Sequence, residues 1–221
     1  MIKSYSIHNE DIENYAFNVF CSKDPVLEDV KKSTTDNKMP FIQVGDFDGL
    51  HLEVLTRMTK AKKAVEFGTL AGFSGICIAR GLPEDGTLFT FELKKSFANT
   101  AKKNFIKAKV DHKVKQFVGP ALENLSQIEN QAPFDLVFID ADKTNYTEYF
   151  NWSARHLRSG GVVLADNTFG FGLITDKKFE TESTRQSIEA LRKFNQMAAN
   201  DRRFKSTILP TGEGLVVAVK K

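Results

Sequence analysis

The chain has 221 residues, 41% hydrophobic and 27% charged, a balance that suits one globular α/β domain and excludes extended disorder. Its net charge of +3 is too small to argue for a nucleic-acid partner by itself, although a pI near 8.7 leaves one open. No apolar run approaches the ~20 residues of a membrane span, and the opening Met1-Ile2-Lys3-Ser4-Tyr5 lacks an apolar export signal, so a cytoplasmic location is expected. From the N-terminus, Ile12, Tyr15, Ala16, Val19 and Phe20 recur at helical spacing. Asp24-Pro25 then reads as an N-cap with proline at the first helical position. These helices predict an arm over 1–40 on a core over 41–221, in a single domain. Gly45-Asp46-Phe47-Asp48-Gly49 reads as a turn leading into a helix that carries Leu50, Val54, Leu55 and Met58.

Beyond this point strands and helices alternate. β-rich runs fall at 63–67, 87–92, 113–118, 135–140, 161–166, 204–209 and 214–220. Helical faces between them include Phe97, Ala101, Phe105 and Ala108, and later Ile188, Leu191, Phe194 and Ala198. Such alternation predicts a doubly wound, mostly parallel seven-stranded sheet covered on both faces, plus the N-terminal helices. Only Pro210-Thr211-Gly212-Glu213-Gly214 separates the last two runs, which suits a hairpin and makes the final strand antiparallel. The polar segment 175–184 reads as a surface loop entering a helix.

Two features carry chemistry. The first strand runs into Gly68-Thr69-Leu70-Ala71-Gly72-Phe73-Ser74-Gly75, a glycine-rich turn that lets a ligand approach the next helix closely. It lacks the Gly-Lys-Ser/Thr of a phosphate loop, and its spacing misses the G-x-G-x-x-G of dinucleotide enzymes. The next strand ends in Glu92, placed to accept hydrogen bonds from ribose hydroxyls. A glycine loop without a phosphate anchor, joined to a ribose acid, fits an adenosine carrying no pyrophosphate, and S-adenosylmethionine is such a ligand. Singly, Glu92 reads equally as a solvated strand-end acid.

The second feature is Phe134-Asp135-Leu136-Val137-Phe138-Ile139-Asp140-Ala141-Asp142-Lys143, followed by Gly160-Gly161-Val162-Val163-Leu164-Ala165-Asp166-Asn167. If both apolar runs are parallel strands of one sheet, their tips deliver Asp140, Asp142, Asp166 and Asn167 to one edge, a hard oxygen set of the Mg²⁺ or Ca²⁺ type. Alone, Asp166-Asn167 suits a turn or a helix cap and Lys143 a solvated lysine. Asp140 at the neighbouring tip tilts the pair towards a metal. His8, His51, His112 and His156 lack ligand spacing and read as structural, as do Cys21 and Cys77 as two reduced thiols. Tyr146, Tyr149 and Trp152 at helical spacing read as core, and Asp46 and Asp48 as part of a turn.

Together with Gly119-Pro120-Ala121-Leu122, Asp166-Asn167-Thr168 and Leu209-Pro210-Thr211-Gly212-Glu213-Gly214, these motifs resemble the cation-dependent O-methyltransferases of the caffeoyl-CoA and catechol type, from about Val44 to the C-terminus. The resemblance implies the Rossmann-like class I methyltransferase fold. It implies S-adenosylmethionine as cofactor and a divalent cation, Mg²⁺ first with Ca²⁺ or Mn²⁺ as substitutes, held by Asp140, Asp166 and Asn167. It further implies Glu66 and Ser74 on the methionine end, Gly68 and Thr69 in the loop beside it, Glu92 on the ribose and Ala121 at the adenine. Asp142 and a Val44 backbone contact would complete the cofactor set, and Lys143 would be the base, a role that requires a neutral amine. The family pattern also implies a homodimer whose N-terminal helices contribute to the interface and the substrate mouth. At Thr168-Phe169-Gly170-Phe171-Gly172-Leu173 the chain departs from the plant pattern Thr-Leu-Trp-Asn-Gly. There Phe169 and Phe171 predict an apolar acceptor wall suited to a small vicinal diphenol such as caffeate rather than a coenzyme A ester. Two rival expectations stand beside this one. Bacterial proteins similar to this family methylate a hydroxylated uridine in transfer RNA, and a non-enzymatic, dimeric cofactor-binding protein would keep the fold without needing the metal set.

Overall fold

Val, Ile, Leu and Phe dominate the segments that become strands, and in the centre of the sheet both faces of each strand are buried, so the apolar runs are continuous rather than alternating. The computed structural model describes residues 10–21 and 23–221, so His8 and the opening residues lie outside it. Helices α1 (Glu10–Phe20), α2 (Pro25–Asp36) and α3 (Asp46–Met58) come first. Then follow β1 (Lys63–Phe67), α4 (Phe73–Gly81), β2 (Thr87–Glu92), α5 (Lys95–Lys107), β3 (Val114–Val118), the short α6 (Ala121–Asn124), β4 (Phe134–Ile139), α7 (Tyr146–His156), β5 (Leu157–Ala165), α8 (Glu182–Asn200), β6 (Phe204–Leu209) and β7 (Leu215–Lys220). The seven strands form one sheet in the order β3-β2-β1-β4-β5-β7-β6. Strands β3 to β5 pair in parallel, and β7 runs antiparallel to both β5 and β6. The expected fold class is therefore observed, including the closing hairpin.

Strand parity divides the core into two layers. Val65, Phe67, Phe91, Val137, Ile139 and Val163 meet Tyr146, Phe150 and Trp152 of α7 and Leu191 and Phe194 of α8 on one face. Ala64, Leu88, Leu136, Phe138 and Leu164 meet α2, α3, α4 and α5 on the other, through residues such as Val30, Leu52, Phe73 and Phe105. Asp24 caps α2 as expected, its Oδ1 accepting from Val26 N at 2.9 Å and Leu27 N at 3.2 Å.

Three local readings are corrected. Helix α3 begins at Asp46, inside the expected turn, and its buried face is Gly49, Leu52 and Thr56, while Val54 and Met58 are exposed. Strand β5 starts at Leu157 rather than 161, with an irregularity opposite Phe134 to Leu136. Lys113 lies in a short 3-10 turn ahead of β3. Among the described residues, no helix is long and apolar enough to cross a membrane.

Candidate active site

Five parallel strands end at one edge of the sheet, and the ladder continues past them. Gly68 N donates to Phe91 O at 3.1 Å, Asp140 N to Phe67 O at 2.9 Å, Asp166 N to Ile139 O at 3.0 Å and Gly119 N to Glu92 O at 2.9 Å. Each link fixes the first residue beyond a strand, which is where ligand-binding side chains of open α/β sheets gather. Gly68 is required for this. Its φ is +95°, and a Cβ there would stand 2.0 Å from Asp140 O, so any side chain would drive the tips of β1 and β4 apart.

On the β1–β2 side, the Glu92 carboxylate is aimed by two backbone donors, Leu70 N at 2.8 Å and Lys94 N at 2.9 Å, which leaves further lone pairs free for hydroxyl groups. Behind it Glu66 is fully buried, accepting from Ser74 Oγ at 2.7 Å and Thr90 Oγ1 at 2.6 Å, with Thr90 linked in turn to Thr69 at 2.5 Å. Burial pushes the Glu66 carboxyl up to about 7 against the lowering effect of those hydroxyls. A cavity of about 920 Å³ opens over this edge. Of the residues singled out in the sequence, Val44, Gly68, Thr69, Ser74, Glu92, Ala121, Asp140, Asp142, Lys143 and Asn167 line it. Glu66 and Asp166 do not. Glu66 reaches the wall through Ser74, and through Thr90 and Thr69. Asp142 lines the cavity with its carboxylate already accepting from Tyr149 Oη at 2.8 Å and Asn145 Nδ2 at 2.5 Å.

On the β4–β5 side the acids converge. Asp140 Oδ1 accepts from Lys143 Nζ at 3.0 Å, and Asn167 Oδ1 accepts from the same amine at 2.7 Å. Asn167 sits at φ +54°, a left-handed conformation that asparagine tolerates better than most side chains. Asp166, nearly buried, has Oδ1 bound to Asn167 N at 2.7 Å. Its carboxyl is held well above the ordinary range, first by burial, then by the negative charge of Asp140, and further by Asp48. Asp140 has its ion pair with Lys143, a residue of the same edge. Among the described residues no three His, Cys, Asp or Glu side chains converge; the set is two carboxylates and one amide. All its donors are hard oxygens, and the Lys143 ammonium already bridges Asp140 and Asn167 as a cation would. Two carboxylates and an amide oxygen at one edge, offset only by one lysine, are a donor set that a divalent ion suits, so these residues fit one.

A family profile described as O-methyltransferase matches residues 18–221. A catechol O-methyltransferase of Niastella koreensis is 36% identical over 202 residues, covering 90% of each chain. Among solved structures, the O-methyltransferase of Bacillus cereus in complex with SAH has TM-score 0.87 and 32% identity, covering 96% of this chain and 97% of its own. The O-methyltransferase TomG of Streptomyces achromogenes, involved in tomaymycin synthesis and in complex with SAM, has TM-score 0.86 and 32% identity over 96% of both chains. The chain belongs to the S-adenosylmethionine-dependent O-methyltransferase family.

In this O-methyltransferase the cavity lining differs from the expected acceptor wall. Phe171 lines the cavity and is 61% exposed, but Phe169 packs against Gly214 and does not reach it. The rim is completed by Pro40 and Ile42, between α2 and α3, and Leu122 of α6. Among the described residues none of α1 lines this mouth; its Phe17 and Phe20 line a separate cavity with α2, α3 and α4. His51, His112 and His156 stay apart from the acids, His51 edge-on to Phe47 and the others facing Glu84 and Glu129. Cys21 and Cys77 are free thiols, and burial pushes Cys77 up to about 12.

Some functional neighbours were not evident from the sequence. Tyr146 and Tyr149 are core residues as expected, yet their hydroxyls meet Lys143 and Asp142. The available signal was their spacing, three and seven residues beyond Lys143 and Asp142, which puts them on the helix turn facing those groups.

Proposed function

We propose that this O-methyltransferase transfers the methyl group of S-adenosylmethionine to a hydroxyl of a small, catechol-like phenol such as caffeate, with a divalent cation, Mg²⁺ first, held by Asp140, Asp166 and Asn167. The observation that carries the reading is the meeting of Asp140, Asn167 and Lys143 at one point of the cavity edge. The name of the Niastella relative supports the acceptor class.

In the transfer the acceptor oxygen forms a bond to the methyl carbon as the sulfur–methyl bond breaks, the sulfonium becomes a neutral thioether, and the hydroxyl proton leaves. When bound, the cation lowers the pKa of the acceptor hydroxyl. Glu92 takes the ribose hydroxyls, the glycine loop and Ser74 seat the methionine end, and Ala121 flanks the adenine. Lys143 Nζ, in its neutral amine form, takes the proton and becomes the ammonium. Phe171, Ile42 and Leu122 supply an apolar mouth for a ring. Alignment of oxygen, methyl and sulfur is the principal rate contribution the chain makes.

The charge of the cavity bears on the choice of acceptor. Its cationic lining residues are Lys94 and Lys143, against Glu92, Glu123, Asp140 and Asp142. An acid-rich cavity suits a sulfonium cofactor and a neutral phenol, and works against polyanionic acceptors such as transfer RNA or a coenzyme A ester. We also propose a homodimer, supported by the exposed apolar side chains of α1.

The test is methylation of catechol, caffeate, a caffeoyl thioester and transfer RNA with labelled S-adenosylmethionine, with Mg²⁺ or with chelator. Turnover on the small diphenols is expected, lost with chelator and lost in Asp140→Ala, while cofactor binding survives in that variant. Undiminished turnover in chelator would remove the cation, and turnover confined to RNA or the thioester would remove the acceptor class.

A further inference from the structure

Tyr146 is a fully buried phenol whose hydroxyl does more than fill space. It opens α7, one turn after Lys143, with its ring edge-on to Phe194 at 5.4 Å between centroids. The hydroxyl donates to the backbone carbonyl of Asp166 at 3.1 Å, which commits its single hydrogen. It can then only accept from Lys143, whose Nζ lies 2.6 Å away. In its protonated resting form Lys143 has three N–H donors, and here they meet Asp140 Oδ1, Asn167 Oδ1 and Tyr146 Oη; to act as the base it first gives up one of these protons, and the Tyr146 contact keeps the amine in place. Asp140 and Asn167 are two of the oxygens assigned above to the cation, so their lone pairs are shared with another claimant. The Tyr146 oxygen is not. It is also anchored from both sides, by α8 through Phe194 and by the tip of β5 through Asp166.

We propose that Tyr146 is a positioning residue of the methyl transfer: its hydroxyl holds the Lys143 amine at the cavity edge, between the tips of β4 and β5, where the acceptor hydroxyl must deliver its proton. Lysine is a flexible chain that loses much rotamer freedom when fixed, and an anchor at its end prevents the amine from spreading over several positions. Misplacement of a reacting group by about 1 Å can cost on the order of a hundredfold in rate. The proposal rests on the reading of Lys143 as proton acceptor given above.

The experiment is a cycle of Tyr146→Phe, Lys143→Met and the double variant, with catechol as acceptor, saturating S-adenosylmethionine and Mg²⁺. Tyr146→Phe keeps the ring on Phe194 and removes only the hydroxyl. It is expected to lower kcat by about tenfold or more, the usual worth of a hydrogen bond to a charged group. KM for catechol and calorimetric affinity for the cofactor should move less than about twofold. In the Lys143→Met background the same change should cost nothing further. A crystal structure of Tyr146→Phe should show the Lys143 amine in more than one position. An unchanged kcat, an equal loss in both backgrounds, or a single unmoved lysine would each overturn the proposal. Full activity in Lys143→Met would sink the reading of Lys143 itself. Loss there beside an unaffected Tyr146→Phe would sink the positioning role alone.

Discussion

Glu66 is a carboxyl group with 0% exposure, held between two hydroxyls on the α4 face of β1. Its pKa rises from 4.5 to about 7 because burial outweighs the hydroxyl donors, so the folded protein holds a proton there that the unfolded chain releases earlier. Its favourable contribution to folding is therefore complete below pH 4.5 and disappears as the pH climbs through about 7. At 1.36 kcal/mol for each unit, the loss is about 3 kcal/mol. Glu66→Gln has the same shape and nothing to ionise, so its melting temperature should fall less between pH 5 and pH 8 than that of the wild type. Parallel curves would show that the wild-type carboxyl is already ionised in the fold. The sequence marked Glu66 as a cofactor residue but could not reveal its depth, because that depends on α4 packing Ser74 over it. Asp140, Asp166, Asn167 and Lys143 were legible because strand ends and short motifs fix their positions. The Tyr146 hydroxyl was not, since helical spacing reports which face a ring occupies and not what its oxygen meets.

The hairpin between β6 and β7 does more than close the sheet. Thr168 Oγ1 donates to Gly214 O at 2.7 Å and Phe169 N to Glu213 O at 2.9 Å, so the hairpin carries the segment that presents Phe171 to the cavity. Gly214 has φ +75°, and a Cβ there would lie 2.7 Å from the Phe169 ring. Gly214→Ala should cost about 1–2 kcal/mol of stability from backbone strain alone. It should also displace Phe169 and raise KM for catechol several-fold, while leaving cofactor affinity unchanged at the β1–β2 side. Cofactor affinity falling in step with acceptor affinity would show that the two sides are not independent. The strand–helix alternation and the hairpin were readable because apolar periodicity and the turn residues agree. Helix α3 was misread because it packs closely on α4 through small residues. A Cβ on Gly49 would lie 2.9 Å from Cys77 Sγ, so the contact face holds Gly49 and Thr56, while the larger Val54 and Met58 point outward. The start of β5 was missed because Arg158-Ser159-Gly160 carry no apolar pattern, and that stretch is held by backbone pairing and by the Arg158–Asp135 ion pair at 2.6 Å.

Helix α1 carries apolar side chains that the other described residues leave exposed. Tyr15 is 68% and Phe20 65% exposed, and Ile12, Phe17 and Val19 are exposed beside them. Val54 and Met58 of α3 add to the uncovered apolar area. Exposed apolar side chains are the basis of the proposed homodimer, in which a second copy meeting α1 about a twofold axis would bury aromatic side chains against their own equivalents. Tyrosine and phenylalanine in such a place are expected to dominate the binding energy, at about 2 kcal/mol or more for each central side chain. Light scattering should therefore give twice the chain mass of 24.8 kDa. Introducing two charges with Tyr15→Glu and Phe20→Glu should weaken association by on the order of a hundredfold or more and return the single-chain mass. Neither residue lines the large cavity, so the separated chains should still bind S-adenosylmethionine with unchanged affinity. A wild-type protein that elutes at the single-chain mass, or a doubly charged variant that stays paired, would refute the role given to α1. Loss of cofactor binding on separation would show instead that the cavity depends on the neighbouring copy for its shape.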